Sequence, residues 1–298
     1  DPSVIDFFTT YADKFLEKTP VLCKDTPGFI GNRVGVYSMA KVMELAQEIG
    51  LTIEEADTLT GSILNRPKTG TFKLADLVGL DTAANVTKGL QENCLNDKFI
   101  QDLKESKVMN FLLEKLEYRP LNRQKLPVIE LAKQAGGTRN KLGVLLSDKT
   151  KHGELIRKHF ASLFAYVADK VPEISDTLYS IDDAMKTGYA WKYGPFETWD
   201  LIGLQKGIDL IASEGYDLPN WIKEMSDAGK ESFYQVKDGK KYFYDIVSKE
   251  YQLIPGQDAF IILYNIRKTQ EGFRRWDFEF RIPFKNEFNW WRSNYRNQ

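Results

Sequence analysis

The chain has 298 residues, a net charge of −1 and enough apolar residues to bury the cores of two ordinary domains. This near balance of charge provides no overall field that would favour nucleic acid or a membrane surface as a partner. Two cysteines, Cys23 and Cys94, exclude a disulfide framework and lack the spacing of a metal site. We therefore expect free thiols in a reducing, cytoplasmic compartment, and no apolar run reaches the length of a membrane span.

The first residues predict a helix followed by a short strand. Apolar side chains recur at helical spacing over Val4–Lys18, and Ser3 is suited to cap the helix. Thr19-Pro20 ends this helix, and Val21-Leu22-Cys23 predicts a short buried strand. We expect residues 1–23 to be the last part of a domain that begins upstream of them.

A long helix is predicted between Thr26 and Gly50. Thr26 can cap its start, and Pro27 suits the first helical position because that position needs no N–H donor. The apolar stripe of this helix consists of Phe29, Val36, Met39, Ala40, Met43 and Ala46. Asn32 falls on the same stripe, so the spacing predicts an amide on the core-facing side.

Asn32 and the small residues around it allow two interpretations. A buried amide needs partners, because an unsatisfied polar group costs a desolvation penalty. Gly28, Gly31 and Gly35 leave space in which another backbone or a ligand could approach closely. Either Asn32 bonds a neighbouring loop inside a tightly packed fold, or it faces a ligand at an interface. Arg33 correspondingly either anchors a further domain or pairs with a carboxylate inside the fold.

Further helices are predicted up to Pro120. Thr52 and Glu55 have the spacing of a capping box, and Glu54-Glu55 would offset the helix dipole. Asp81-Thr82 is suited to cap another helix, and Asn96–Glu117 also has a helical pattern. Residues 24–120 would form one helical domain, followed by a linker over 121–150.

Within that linker the pattern is mixed. Leu126–Gln134 predicts a helix, Gly136-Gly137 predicts a break, and Lys141–Asp148 is short and without a clear period.

The pattern of the first domain starts again after Lys151. Ile181-Asp182-Asp183-Ala184 is similar to Ile53-Glu54-Glu55-Ala56, and Gly194–Leu204 is similar to Gly70–Leu80. This is typical of an internal repeat, whose second, degenerate copy would occupy residues 151–230. That copy has no Asn-Arg pair in the position of Asn32-Arg33.

The remaining residues predict a small β-containing extension and an unusual tail. Trp221–Ala228 predicts a helix and Tyr242–Val247 a strand, within an extension over 231–270. Residues 271–298 crowd aromatic and arginine residues without a period, which would suit a nucleic-acid or membrane-surface tail. We favour a second hypothesis, that 271–298 is a non-native tail produced by a frameshift in the gene.

Other candidate groups have structural explanations. His152 and His159 could act as general bases, but they lie among lysines and arginines, so we predict a solvated basic face. Asp182-Asp183 would lie in the first turn of a helix, where negative charge is favourable. Phe72 and Phe196 occupy equivalent loops and are predicted to fill the two cores.

The segment Asp25-Thr26-Pro27-Gly28-Phe29-Ile30-Gly31-Asn32-Arg33 resembles the opening of the C-terminal domain of 3-hydroxyacyl-CoA dehydrogenases. The segment Gly194–Leu204 resembles a second motif of that family, Gly-Pro-Phe-x-x-x-Asp-x-x-Gly-Leu. In the first copy Thr71 replaces the proline of this motif, and a Lys-x-Gly-x-Gly-Phe-Tyr turn expected before Leu116–Pro120 is missing.

The resemblance implies a mainly α fold of two tandem 6-phosphogluconate-dehydrogenase C-terminal-like helical domains with a small irregular or β C-terminal extension. It implies that Asn32 binds the substrate near its 3-oxygen and that Gly28, Gly31, Arg33 and Gly35 face a missing NAD-binding domain. That domain would hold NAD and the catalytic histidine and glutamate, so we expect no catalytic, cofactor-binding or metal-binding residue in this chain. The extension would lead toward a missing crotonase domain.

The implied function is oxidation of L-3-hydroxyacyl-CoA to 3-ketoacyl-CoA with NAD in fatty-acid β-oxidation. Acyl-CoA would be the substrate, and the lysine-rich segment near His152 could contact the CoA phosphates. Pseudo-twofold packing of the two copies would replace a dimer partner, although a homodimer is also compatible with the pattern. The alternative is a non-catalytic dimerisation or scaffold module. The Asp25–Arg33 motif disfavours a relative that acts on sugars or hydroxyacids.

Overall fold

The computed structural model describes residues 1–103 and 125–256, and this part of the chain is mainly α-helical. Most of the predicted helix over Asn96–Glu117 and the predicted tail over 271–298 lie outside the described residues. The first half contains α1 (Pro2–Lys14), α2 (Gly31–Ile49), α3 (Ile53–Thr60), a short 3-10 turn (Ser62–Leu64), α4 (Phe72–Val78), α5 (Leu80–Asn93) and α6 (Lys98–Gln101). The second half contains α7 (Pro127–Gln134), α8 (Thr138–Ser147), α9 (Lys151–Ile174), α10 (Leu178–Gly188), α11 (Pro195–Ile202), α12 (Leu204–Ser213) and α13 (Asn220–Asp227).

The N-terminal segment forms the predicted helix but not the predicted strand. Asp1, rather than Ser3, caps α1 by accepting a hydrogen bond from the Ser3 N–H, and no side chain of α1 is buried. Residues 21–23 have no strand geometry, and Leu22 is exposed. The prediction of a buried strand was wrong because an apolar tripeptide forms a strand only beside another strand.

Helix α2 begins later than its sequence predicts. Residues 27–30 form a turn, in which Gly28 and Phe29 have left-handed φ angles of 76° and 48°, so Thr26 and Pro27 do not start the helix. Phe29 and Asn32 are exposed, which corrects their placement on the core-facing stripe. Val36, Met43 and Ala46 of that stripe are buried as predicted, and the buried side of α2 also includes Arg33, Val34 and Tyr37.

The core forms where α2 packs along α9, the longest helix in the described ranges. The rings of Tyr37 and Tyr166 stack with centroids 4.0 Å apart, and Phe164 stacks on Trp199 at 4.9 Å. Aromatic pairs of this kind add to the free energy that burial of their area already provides. The packing of α2 against α9 therefore sets the positions of the helices that contact these two.

Two helix pairs are fastened in the same way. In the first, the carboxylate of Asp57 on α3 accepts hydrogen bonds from the backbone N–H groups of Phe72 and Lys73 on α4, at 2.6 and 3.1 Å. In the second, Asp182 on α10 accepts from Phe196 and Glu197 on α11, both at 2.9 Å.

These contacts explain the buried phenylalanines. Phe72 and Phe196 are buried, as predicted for the equivalent loops. Asp182 is the fifth residue of α10 and fully buried, so its prediction as a first-turn, dipole-compensating residue was wrong. Its carboxylate accepts hydrogen bonds from N–H groups at the start of α11, not at the start of its own helix.

The predicted linker over 121–150 contains two helices that belong to the core. The predicted helix over Leu126–Gln134 is confirmed as α7, whereas α8 was not predicted. Their buried side chains are Val128, Ile129, Ala132, Leu142 and Leu145. Residues 1–103, 125–235 and 242–254 belong to one compact unit, and the division into domains over 24–120 and 151–230 stays a prediction.

The C-terminal described residues form a small antiparallel sheet of β1 (Tyr234–Lys237), β2 (Lys240–Asp245) and β3 (Glu250–Leu253), in that order. Tyr242 lies opposite Leu253, and Asp245 lies opposite Glu250. Among the described residues, 236–241 and 255–256 are assigned to a second unit, which contains the turn at Asp238-Gly239. Within residues 1–103 and 125–256, no helix combines the length and the apolar character needed to cross a bilayer.

Candidate functional site

Asn32 lies at the exposed start of α2. As the second residue of that helix, it projects its side chain near the N-terminal end, where the chain has just left the turn at Gly28-Phe29. Its Oδ1 atom accepts a hydrogen bond of 3.2 Å from the hydroxyl of Tyr189, which follows the end of α10. Among the described residues, its Nδ2 group donates no hydrogen bond, so both amide hydrogens are available to a ligand.

Two of the predicted glycines make room for Tyr189. A Cβ atom at Gly35 would lie 2.2 Å from Cζ of the Tyr189 ring, and one at Gly31 would lie 3.7 Å from that ring. Burial raises the pKa of the Tyr189 hydroxyl, which therefore stays protonated and able to donate. Gly35 thus has a close contact within this chain, and its contact with a further domain stays a prediction.

Gly28 has a different role. Its φ of 76° is in the left-handed region that favours glycine, and a Cβ there would lie 2.9 Å from Cδ2 of Leu90. The residue thus allows the turn into α2 to pass close to α5. Contact of Gly28 and Gly31 with a further domain stays a prediction.

Arg33 points into the core rather than toward a free surface. Its Nη2 atom lies 2.7 Å from Oδ2 of Asp97, and it also donates to the carboxylate of Glu173. Its Nε–H donates to the Tyr166 hydroxyl at 3.2 Å, and that hydroxyl donates to Asp97 at 3.3 Å. Lys170 lies 2.8 Å from Glu173 and 3.4 Å from Asp97. The interpretation of Arg33 as the partner of interior carboxylates is therefore confirmed.

The charges in this network stabilise one another. Burial works against the charge of Arg33, but Tyr166, Asp97 and Glu173 raise its pKa overall. Burial likewise works against the charge of Glu173, yet hydrogen bonds from Lys170 and Arg33 lower its pKa. Arg33 and Glu173 therefore stay ionised at neutral pH, and their ion pair joins α2 to α9.

Neither histidine is hydrogen-bonded to Asn32, and neither is on a solvated basic face. His159 is fully buried, with Nε2 2.9 Å from Nη1 of Arg66, whose guanidinium lies 3.7 Å from the centre of the Trp191 ring. Burial and the neighbouring Arg66 hold the pKa of His159 well below its usual range. Since arginine can only donate, Nε2 of a neutral His159 accepts and Nδ1 carries the hydrogen. The prediction of a solvated face was wrong because α9 is enclosed on this side.

His152 pairs with the carboxylate of Glu55, which also has other hydrogen-bond and ion-pair partners. Its Nε2 lies 3.1 Å from Oε1 of Glu55, which also binds Lys151 and accepts the Thr52 N–H in the predicted capping box. Lys151 also lies beside Gly50, at the opposite end of α2 from Asn32. A helix of 19 residues is about 28 Å long, so the His152–Glu55 pair cannot act on a group held by Asn32.

The arrangement at Asn32 can therefore bind and orient an oxygen atom, but the described residues hold no acid–base pair beside it. They also include no group of side chains suited to hold a metal ion. Reasoning from sequence missed Tyr189, Asp97, Tyr166 and Glu173. Gly35 inside a helix signalled a close approach, although nothing in the pattern named Tyr189, which lies 157 residues from Asn32.

Comparisons with known proteins identify the family. Residues 28–125 match the family described as 3-hydroxyacyl-CoA dehydrogenase, C-terminal domain. A protein of Bacillus subtilis named "Probable 3-hydroxyacyl-CoA dehydrogenase" is 34% identical over 295 residues, covering 91% of this chain and 37% of that protein. A "Putative fatty acid oxidation complex trifunctional enzyme" of Rickettsia prowazekii is 30% identical over 272 residues, covering 79% and 36%.

A solved structure of 3-hydroxybutyryl-CoA dehydrogenase from Escherichia coli is also similar, with 17% identity and a TM-score of 0.48 over 71% of this chain and 62% of that one. The chain spans little more than a third of the length of the two curated relatives. In residues 28–125, which include Asn32, the chain carries the C-terminal domain of the 3-hydroxyacyl-CoA dehydrogenase family.

Proposed function

We propose that this chain is the substrate-binding, helical part of an NAD-dependent 3-hydroxyacyl-CoA dehydrogenase of fatty-acid β-oxidation. The enzyme would oxidise L-3-hydroxyacyl-CoA to 3-ketoacyl-CoA. One observation carries the proposal: Asn32 lies in the matched domain, is exposed, and has an Nδ2 group that no described side chain uses. An amide N–H is a suitable donor to the 3-oxygen, as hydroxyl or as ketone.

The described residues do not fit NAD. A dinucleotide site requires parallel strands that lead into helix N-termini, whereas strands β2 and β3 are antiparallel neighbours in a three-stranded sheet. The proposal therefore assigns NAD and the catalytic His–Glu pair to a further domain and no step to this chain beyond binding. The share of each relative that the chain leaves uncovered supports this division.

We also propose that the helical segment is duplicated. Residues 31–93 and 151–213 each have a long helix followed by three shorter ones. The matching contacts of Asp57 and Asp182 support this, as do the left-handed φ angles of 102° and 108° at Gly79 and Gly203. The second copy would pack on the first as a dimer partner does in a twofold assembly.

The proposed location is the cytoplasm, which the two free cysteines support. The alternative function is a scaffold or dimerisation module without a substrate. The Arg33 network favours it, since it joins the two helical segments through the pairs Arg33–Glu173 and Lys170–Asp97.

Titration of the purified chain with acetoacetyl-CoA, a 3-ketoacyl-CoA, separates these functions. We expect weak binding that exceeds binding of free CoA and is lost in Asn32→Ala, together with no NADH oxidation by the chain alone. Equal binding of acetoacetyl-CoA and CoA, unaffected by Asn32→Ala, would favour the scaffold. Oxidation of NADH by the chain would overturn the assignment of the catalytic pair to another domain.

A further inference from the structure

Tyr189 approaches Asn32 from the second helical segment. Its hydroxyl donates to Oδ1 of Asn32 at 3.2 Å, and its ring occupies the space left by Gly31 and Gly35. The ring is held closely, because a single Cβ at Gly35 would lie within 2.6 Å of three of its atoms. Two independent features, a hydrogen bond and a fitted ring, thus place this residue against the candidate site.

The direction of this hydrogen bond determines what Asn32 can offer. An asparagine side chain has one acceptor oxygen and one NH2 group, which lie in the amide plane on opposite sides of the Cβ–Cγ axis. Because Tyr189 donates to the oxygen, the NH2 group is turned away from Tyr189. Without that donor, the amide could rotate by half a turn and present an acceptor to an incoming ligand oxygen, which would repel it.

We infer that Tyr189 is a positioning residue for substrate binding, which fixes the Asn32 amide so that its NH2 group faces the 3-oxygen of the acyl group. The inference rests on the proposed function, in which Asn32 binds that oxygen. It gives the second helical segment a part in the site, although that segment lacks an Asn-Arg pair of its own. In this arrangement Tyr189 acts through Asn32.

The test is Tyr189→Phe in the complete chain, because phenylalanine keeps the ring against Gly35 and removes only the hydroxyl. Tyr193→Phe is the matched control: Tyr193 is a nearby, half-buried tyrosine whose hydroxyl makes no hydrogen bond within the described ranges. Binding of acetoacetyl-CoA is measured for the wild type, each tyrosine variant, Asn32→Ala and the double variant Tyr189→Phe/Asn32→Ala. The side-chain amide signals of Asn32, assigned by their loss in Asn32→Ala, are recorded by ¹H–¹⁵N NMR.

We expect Tyr189→Phe to weaken binding about three- to tenfold, the usual effect of losing one hydrogen bond. It should also shift or broaden the Asn32 amide signals, which a remote structural effect would not do. In the double variant, Tyr189→Phe should add nothing to the loss caused by Asn32→Ala. Tyr193→Phe should leave binding and the amide signals unchanged.

Two results overturn the inference in distinguishable ways. If Asn32→Ala abolishes binding while Tyr189→Phe leaves binding and the amide signals unchanged, Tyr189 does not position Asn32 and the proposed function stands. If Asn32→Ala leaves binding unchanged, the proposed function fails and the inference fails with it.

Discussion

Arg33 and Asp97 form an ion pair whose side chains are both 1% exposed, with Nη2 and Oδ2 2.7 Å apart. The pair joins the start of α2 to the residue that caps α6, and Tyr166 and Glu173 connect it to α9. A buried ion pair is costly to break, because the remaining charge has no water to replace its partner. The local fold around Asn32 therefore depends on this pair.

We expect Arg33→Ala to lower the free energy of unfolding by about 3–5 kcal/mol, because it leaves Asp97 buried beside a weaker partner. Urea denaturation of the chain measures the change. The control is Lys88→Ala, which removes an exposed pair with Glu92 at 3.8 Å and should cost less than about 0.5 kcal/mol. Similar losses for the two variants would show that the network does not hold α2 in place.

Gly35→Ala tests the close contact with Tyr189. The added Cβ would lie 2.2 Å from the Tyr189 ring, so we expect the ring to be displaced and the chain to be destabilised by about 1–3 kcal/mol. Gly89→Ala is a matched control, since Gly89 also lies inside a helix and its Cβ would have open space. That variant should gain about 0.5–1 kcal/mol from helix propensity. Stabilisation by both changes would contradict the tight fit.

Glu55 should make stability depend on pH in the acid range. Burial alone would raise its pKa, but hydrogen bonds from Thr52, Lys151 and His152 lower it to about 2. The unfolded value is about 4.3, so the stabilisation is complete above that pH and is lost as the pH falls through 2.

We therefore expect the free energy of unfolding to decrease between about pH 5 and pH 2 more steeply in the wild type than in Glu55→Gln. Chemical denaturation at several pH values measures both slopes. Glu48→Gln, a change at an exposed glutamate that pairs with Lys158, should leave the slope close to that of the wild type. Parallel curves for the wild type and Glu55→Gln would refute the role of the Glu55 pairings.

Asp182 should matter more than its neighbour Asp183. Its two oxygens accept from the Phe196 and Glu197 N–H groups, and the Tyr234 hydroxyl donates to it at 2.8 Å. Asparagine can accept at only one of these positions, so Asp182→Asn should cost about 1–3 kcal/mol.

Asp183→Asn is the control, since Asp183 is only half-buried and pairs with Lys186. It should cost less than about 0.5 kcal/mol by urea denaturation. Asp57→Asn, which removes the equivalent contact with Phe72 and Lys73, should resemble Asp182→Asn if the two segments are fastened alike. A clear difference between these two variants would weaken the proposed duplication.

The sequence by itself determined the features that depend on neighbours along the chain. The capping box of Thr52 and Glu55, the burial of Phe72 and Phe196, and the mainly helical fold were predicted from local spacing, and the structure confirms them. The motif at Asp25–Arg33 identified the family for the same reason, since it is a continuous run of residues.

Only the tertiary structure decided which face of α2 is buried and what meets it. Asn32 turned outward and Arg33 inward because α9 packs against the side of α2 that carries Arg33, and the helical period allows more than one such side. His159 is enclosed because other helices pack around α9, although charged neighbours in the sequence indicated a solvated face. Tyr189 reaches Asn32, and Asp97 reaches Arg33, across 157 and 64 residues of chain. No local pattern encodes such contacts, because they arise only when the helices are packed together.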